Sequence, residues 1–81
     1  MQQWKSVGVV CEGQKIRVDG LNLWSHDWQR VDSPSISLPH PSYPNQLHAM
    51  NIYEIVVGDK RVRFATGELS ANVWGFYSEI D

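Results

Sequence analysis

Tyr53-Glu54-Ile55-Val56-Val57-Gly58-Asp59-Lys60-Arg61-Val62-Arg63-Phe64 is the stretch on which the fold of this chain turns. Gly58-Asp59 has the composition of a two-residue hairpin loop with glycine first, which suits a type II′ turn. A reversal there dictates the register. Ile55 then faces Val62 and Tyr53 faces Phe64 on one side, while Glu54 faces Arg63 and Val56 faces Arg61 on the other. Apolar and charged pairs separate onto opposite faces, as a half-buried antiparallel pair requires. Each such cross-strand pair contributes roughly 0.2–1 kcal/mol.

A second reversal is expected at Glu12-Gly13. With those two residues as the loop, Cys11 faces Gln14, Val9 faces Ile16 and Val7 faces Val18. The other side pairs Val10 with Lys15, Gly8 with Arg17 and Ser6 with Asp19, and is mostly polar. The two registers predict a core containing Val7, Val9, Ile16, Val18, Tyr53, Ile55, Val62 and Phe64. They also place Cys11 on the inner face, as a small buried hydrophobe and not a reactive thiol.

Away from the hairpins the pattern is less regular. Leu21-Asn22-Leu23-Trp24 and Trp28-Gln29-Arg30-Val31 read as short strands joined at Ser25-His26-Asp27. The competing reading is one helical turn beginning at Ser25, a good N-cap residue. Pro34, Pro39, Pro41 and Pro44 all fall within residues 33–45. Each lacks an N–H and restrains its predecessor, so a proline-rich loop is expected at 33–45, with Ile36 and Leu38 tucked onto the core.

Thr66-Gly67-Glu68-Leu69-Ser70 reads as a turn or a short helical turn. Asn72 to Tyr77 reads as a strand with apolar residues on both faces, Val73 and Tyr77 on one, Trp74 and Phe76 on the other. That suits a central strand, or an edge strand offering aromatics to a partner. Met50, Ile52 and Val56 share the outer face of their strand with Glu54 and need a cover, either the proline-rich loop or a second subunit. The expected architecture is one all-β domain over residues 1–81: a small antiparallel barrel or compact two-layer sheet of five to seven short strands, with little or no helix.

Composition narrows the functional classes. A chain of 81 residues suits one domain. Its net charge of −2 lacks the basic excess from which duplex-DNA binders draw their affinity, so no duplex DNA is expected. Cys11 is the only cysteine, which excludes an intramolecular disulfide. The start Met1-Gln2-Gln3-Trp4-Lys5 does not read as a signal peptide, and no run approaches the ~20 apolar residues of a membrane span. A cytoplasmic location and no membrane partner are the expectation.

Chemistry is sparse. His26, His40 and His48 lack the short spacing of metal ligands, so no metal site is expected. Ser25-His26-Asp27 contains the residue types of a hydrolase triad, but neighbours on a strand point to opposite faces. No nucleophile elbow and no glycine-rich phosphate motif occurs. Neither catalytic residues nor cofactors are expected. An enzymatic reading would have to rest on His26 and Asp27 beside the proline-rich loop.

The tryptophans stand out. Trp4, Trp24, Trp28 and Trp74 are a heavy load for so small a core. Large rings fill volume efficiently, and rings left exposed stack on sugars, single-stranded bases or protein surfaces. Lys60, Arg61 and Arg63, with Lys15 and Arg17, would form a basic strip if the outer faces of the two hairpins were coplanar. Two functional expectations follow. One is a non-catalytic interaction protein that binds a protein partner, or itself as a homo-oligomer, through an aromatic and apolar sheet face. The alternative is a ligand-binding β-barrel for single-stranded nucleic acid or a small polar molecule. The candidate binding residues are Trp24, His26, Trp28, Arg61, Arg63 and Trp74.

Overall fold

A computed structural model describes residues 3–31 and 34–80. In chain order the strands are β1 (Gln3–Cys11), β2 (Arg17–Val18), β3 (Leu21–Asn22), β4 (Gln29–Arg30), β5 (Ile36–Pro39), β6 (Leu47–Val57), β7 (Lys60–Ser70) and β8 (Val73–Ile80). One 3-10 turn, Leu23–Ser25, interrupts them, and no α-helix occurs among the described residues. The main sheet runs β1-β8-β7-β6-β4, with β5 paired to the other end of β6, while β2 and β3 form a small sheet of their own. All pairings are antiparallel. The protein is a compact antiparallel all-β structure. Its strand count exceeds the expected range because three of the strands are only two residues long.

The β6–β7 hairpin has the register read from its side chains. Tyr53 pairs with Phe64, Glu54 with Arg63, Ile55 with Val62 and Val56 with Arg61. Gly58 takes φ +60 while Asp59 stays at negative φ, the pattern of a type II′ turn. That turn matches the right-handed twist of its strands, so the ladder propagates.

The expected first hairpin does not form, and the reason is its turn. The chain does reverse at Glu12-Gly13: the Gln14 N–H donates to the Cys11 carbonyl at 2.9 Å. Gly13 takes φ +82 and Glu12 a negative φ, which is type II geometry. Type II turns splay the strands they join. So β1 pairs with β8 instead, and β2 turns back on β3 through Asp19-Gly20, with φ of +51 and +82 as a type I′ turn needs. Ile16 and Val18 are still buried, now laid over the sheet. Ile16 Cδ1 lies 3.7 Å from where a β-carbon on Gly8 would stand.

Two side chains of β1 correct the expectation. The β1–β8 register slips between Ser6 and Gly8, so Val7 is an extra residue bulging from the ladder. Beyond the bulge the alternation inverts. Val7 and Val10 pack on the core, while Val9 turns outward and is 40% exposed. Cys11, paired with Val73 two residues on from Val9, lies on the same outward side and is exposed as well.

The proline-rich stretch also differs from expectation, although Ser33 lies outside the described residues. Ile36–Pro39 is a strand, pairing Ile36 with Met50 and Leu38 with His48. β5 hydrogen-bonds on one side only, and an edge strand tolerates a terminal proline. Ile36 and Leu38 do pack on the core, over Met50 and Ile52. The cover that those residues require therefore comes from this chain. Val56 remains 46% exposed.

Residues 66–70 form no turn. β7 runs through them, pairing Thr66 with Phe76 and Gly67 with Gly75. The helical turn lies at Leu23–Ser25 and not after Ser25, with β3 and β4 as short strands on either side. Strand β8 is central, between β1 and β7, which accounts for its two apolar faces.

Two cores result, one on each face of the sheet. The first joins Ile16, Val18 and Leu23 to Ile55, Val62, Phe64 and Phe76. The second joins Met50, Ile52, Ala65 and Tyr77, with Trp4, Val31, Ile36, Leu38 and Leu69 packed against it.

Candidate functional site

Trp24, Trp28 and Trp74 do come together. Trp24 and Trp28 have ring centroids 5.0 Å apart, and Trp24 meets Trp74 edge-to-face at 6.2 Å. Trp28 in turn meets Phe64 edge-to-face at 5.1 Å and lies 5.4 Å from Tyr53. All three indoles are half-buried and pack on the first core. The Trp28 Nε1–H donates to the Leu23 carbonyl at 2.6 Å, tying the 3-10 turn to the cluster. The Trp24 and Trp74 Nε1 atoms are buried without a hydrogen-bond partner. The three rings lie as a lid over the first core.

The other sequence candidates lie elsewhere. Arg61 and Arg63 pair across the ladder with Val56 and Glu54, whose side chains stand on the opposite face of the sheet from Ile55 and Val62. The tryptophans and these arginines therefore do not share a surface. Glu54 accepts both cations, Arg61 Nε at 3.4 Å and Arg63 Nη2 at 3.3 Å. His26 is half-buried just after the 3-10 turn, where its backbone N–H donates to the Leu23 carbonyl. His40 and His48 have ring centroids 5.7 Å apart in the β5–β6 hairpin. Among the described residues no group of three or more His, Cys, Asp or Glu could hold a metal ion. Tyr77, in the second core, donates its hydroxyl to the Pro39 carbonyl, and burial pushes its phenol above the ordinary value.

The splayed turn creates a feature that the sequence did not disclose. A cleft of about 310 Å³ opens between β1 and β2. Lys5, Ser6 and Val7 of β1, Arg17 and Val18 of β2, Asp19 of the next turn and Ser78 of β8 line it. Most of these residues would have been ladder partners in the expected hairpin. Lys5 pairs across the sheet with Ser78, on the face that carries Phe76, so both side chains face β2. Lys5, Arg17 and Asp19 are exposed and make no ion pair among the described residues, while the Lys60 ammonium donates to the Asp19 backbone carbonyl. Ser78 is only 8% exposed, and the small part of it that reaches solvent opens into the cleft. No sequence signal marks this site, because Lys5, Arg17 and Ser78 lie far apart in the chain and belong to no motif.

The geometry defines a class, a small antiparallel all-β protein with a tryptophan-lidded core and a polar cleft beside one sheet edge. No protein-family model, curated protein or solved structure matches the chain. No helix among the described residues is long and apolar enough to cross a membrane.

Proposed function

We propose that this protein is a non-catalytic interaction module that binds a protein partner, or a second copy of itself, by accepting a strand along β1. The observation that carries the reading is the contrast between the two edges of the sheet. On one side β4 is two residues long and β5 ends in Pro39, both devices that discourage further pairing. On the other side β1 has nine residues without a proline, and beyond its lysine, Lys5, and its bulge at Val7 the stretch Gly8–Cys11 carries neither a charge nor a proline. Val9, 40% exposed on that strand, adds an apolar contact for an incoming chain. Both faces of the sheet carry packed cores, so the edge is favoured over the aromatic face as the docking surface.

Light scattering across a concentration series, combined with capture from a lysate, tests this. Val9→Lys places a second charge on the edge and is expected to weaken association without unfolding the domain, since Val9 lies outside the core. A wild-type chain that stays monomeric at every concentration and captures nothing sinks the proposal. The nucleic-acid alternative needs rings and arginines on one surface, and their separation to opposite faces leaves it without support.

A further inference from the structure

We infer that the strand accepted by β1 is β1 of a second copy, an assignment that rests on the strand-acceptor reading above. The two strands run antiparallel about a twofold axis between Val7 and Gly8. The starting point is which backbone groups of β1 are free. The Glu12 N–H donates to the Asn72 carbonyl at 2.8 Å, which fixes the parity of the β1–β8 ladder. Alternation along β8 then aims its even-numbered residues at β1 and its odd-numbered ones at β7. Trp4, Ser6, Val9 and Cys11 pair with Glu79, Tyr77, Gly75 and Val73, so their own N–H and C=O groups point away from the sheet. Gln14 occupies those of Cys11. The Cys11 N–H donates to Gln14 Oε1 at 3.1 Å, and the Gln14 N–H donates to the Cys11 carbonyl at 2.9 Å. The outward backbone groups of Trp4, Ser6 and Val9 have no partner among the described residues.

The bulge selects the partner. Because Val7 is an extra residue, the outward-facing positions are unevenly spaced, at 4 and 6 and then at 9 and 11. A regular strand laid on this edge matches one half and slips against the other. A second β1, run in the opposite direction, carries the same spacing. Val9 pairs with Ser6 of the second copy, Ser6 with its Val9, and the two bulges face each other at the axis.

Charge agrees with that register. It sets Lys5 opposite Val10 of the second copy, with the second copy's Glu12 two residues further on the same face. Within one chain Lys5 and Glu12 make no ion pair among the described residues. The twofold axis brings each lysine within diagonal reach of the other copy's glutamate. A lysine and a bulge deter foreign strands from an edge, and a copy of this chain answers both. Gln14 confines the ladder to its centre, so the association is weak and reversible.

Sedimentation equilibrium of the full chain up to millimolar concentration reads the dimer. A nitroxide on Cys11, the single cysteine and an exposed one, reads the register by pulsed dipolar spectroscopy. The two Cys11 positions are expected about 20 Å apart, from about six ladder steps of ~3.4 Å. Lys5→Glu and Glu12→Lys, both at exposed positions, should each weaken dimerisation roughly ten-fold or more. The double variant Lys5→Glu/Glu12→Lys should restore it. Failure of that rescue, or a cysteine separation that fits another register, overturns the inference. So does a wild-type chain that stays monomeric while Val9→Lys abolishes its capture of another protein, a result that leaves the strand-acceptor reading standing. A monomer that captures nothing removes both.

Discussion

Gly67 lies against the backbone of Ala49 so closely that a β-carbon on it would stand 2.6 Å from the Ala49 carbonyl oxygen. The Met50 sulfur would be 2.8 Å away. The β6–β7 ladder ends at the Asn51–Thr66 pair. The N-terminal part of β6 therefore leaves the plane of the sheet there and curls with β5 over the second core. Glycine permits that crossing. Gly67→Ala is expected to cost roughly 1–3 kcal/mol in urea unfolding, because the nearest obstacle is backbone and cannot rotate aside. An unchanged midpoint would mean that the two strands can separate freely.

Trp28 holds the 3-10 turn to the sheet through its bond to the Leu23 carbonyl. Trp28→Phe keeps most of the ring packing but deletes that donor. The expected loss is about 1–3 kcal/mol by thermal or urea unfolding, since Leu23 is fully buried and water cannot easily replace the indole.

Glu54 serves two arginines, of which the Arg61 side chain is 68% exposed. Pairs with such open partners contribute little, and salt screens them. Glu54→Gln should therefore lower stability by no more than about 1 kcal/mol at low salt. The difference from wild type should shrink as salt is added, and a gap that persists in concentrated salt would contradict a mainly electrostatic role.

Tyr77 carries the pH dependence. Burial raises its phenol above the ordinary value of 10.0, so the folded state disfavours the phenolate. The unfolded chain ionises first on alkaline titration. This contribution to stability is thus complete below about pH 10 and is lost as pH rises through the folded-state value. Tyr77→Phe should cost roughly 0.5–1.5 kcal/mol at neutral pH through the lost bond to Pro39. It should also flatten the alkaline part of the stability curve. A variant whose stability falls as steeply as wild type above pH 10 would assign that loss to another group.

The residues whose place is legible in the sequence and those whose place is not differ in how local their instructions are. At Gly58-Asp59 the turn type, the alternation and the glutamate–arginine pair all lie within a dozen residues and agree with one another. At Glu12-Gly13 the alternation was equally good, but the turn chemistry was not. Glutamate does not take positive φ readily, and only Gly13 does so here. The stronger signal was a few residues on, at Asp19-Gly20, a dipeptide favoured in type I′ turns. For the candidate site, the hairpin register places Arg61 and Arg63 opposite Ile55 and Val62, but nothing local says that Trp24, Trp28 and Trp74 pack on the Ile55 side, so their separation from the arginines is legible only in the fold.

By itself the sequence determined the antiparallel all-β class, the β6–β7 register and most of the buried residues, including Ile16, Val18, Ile55, Val62 and Phe64. Tertiary structure alone decided that β1 pairs with β8, that a bulge at Val7 turns Val9 outward, and that β5 roofs the second core. The physical reason is range. Alternation and turn propensity act between near neighbours, whereas the choice of a distant strand partner depends on every other surface that competes for it. The cleft of Lys5, Arg17 and Ser78 exists because one such competition was won by β8.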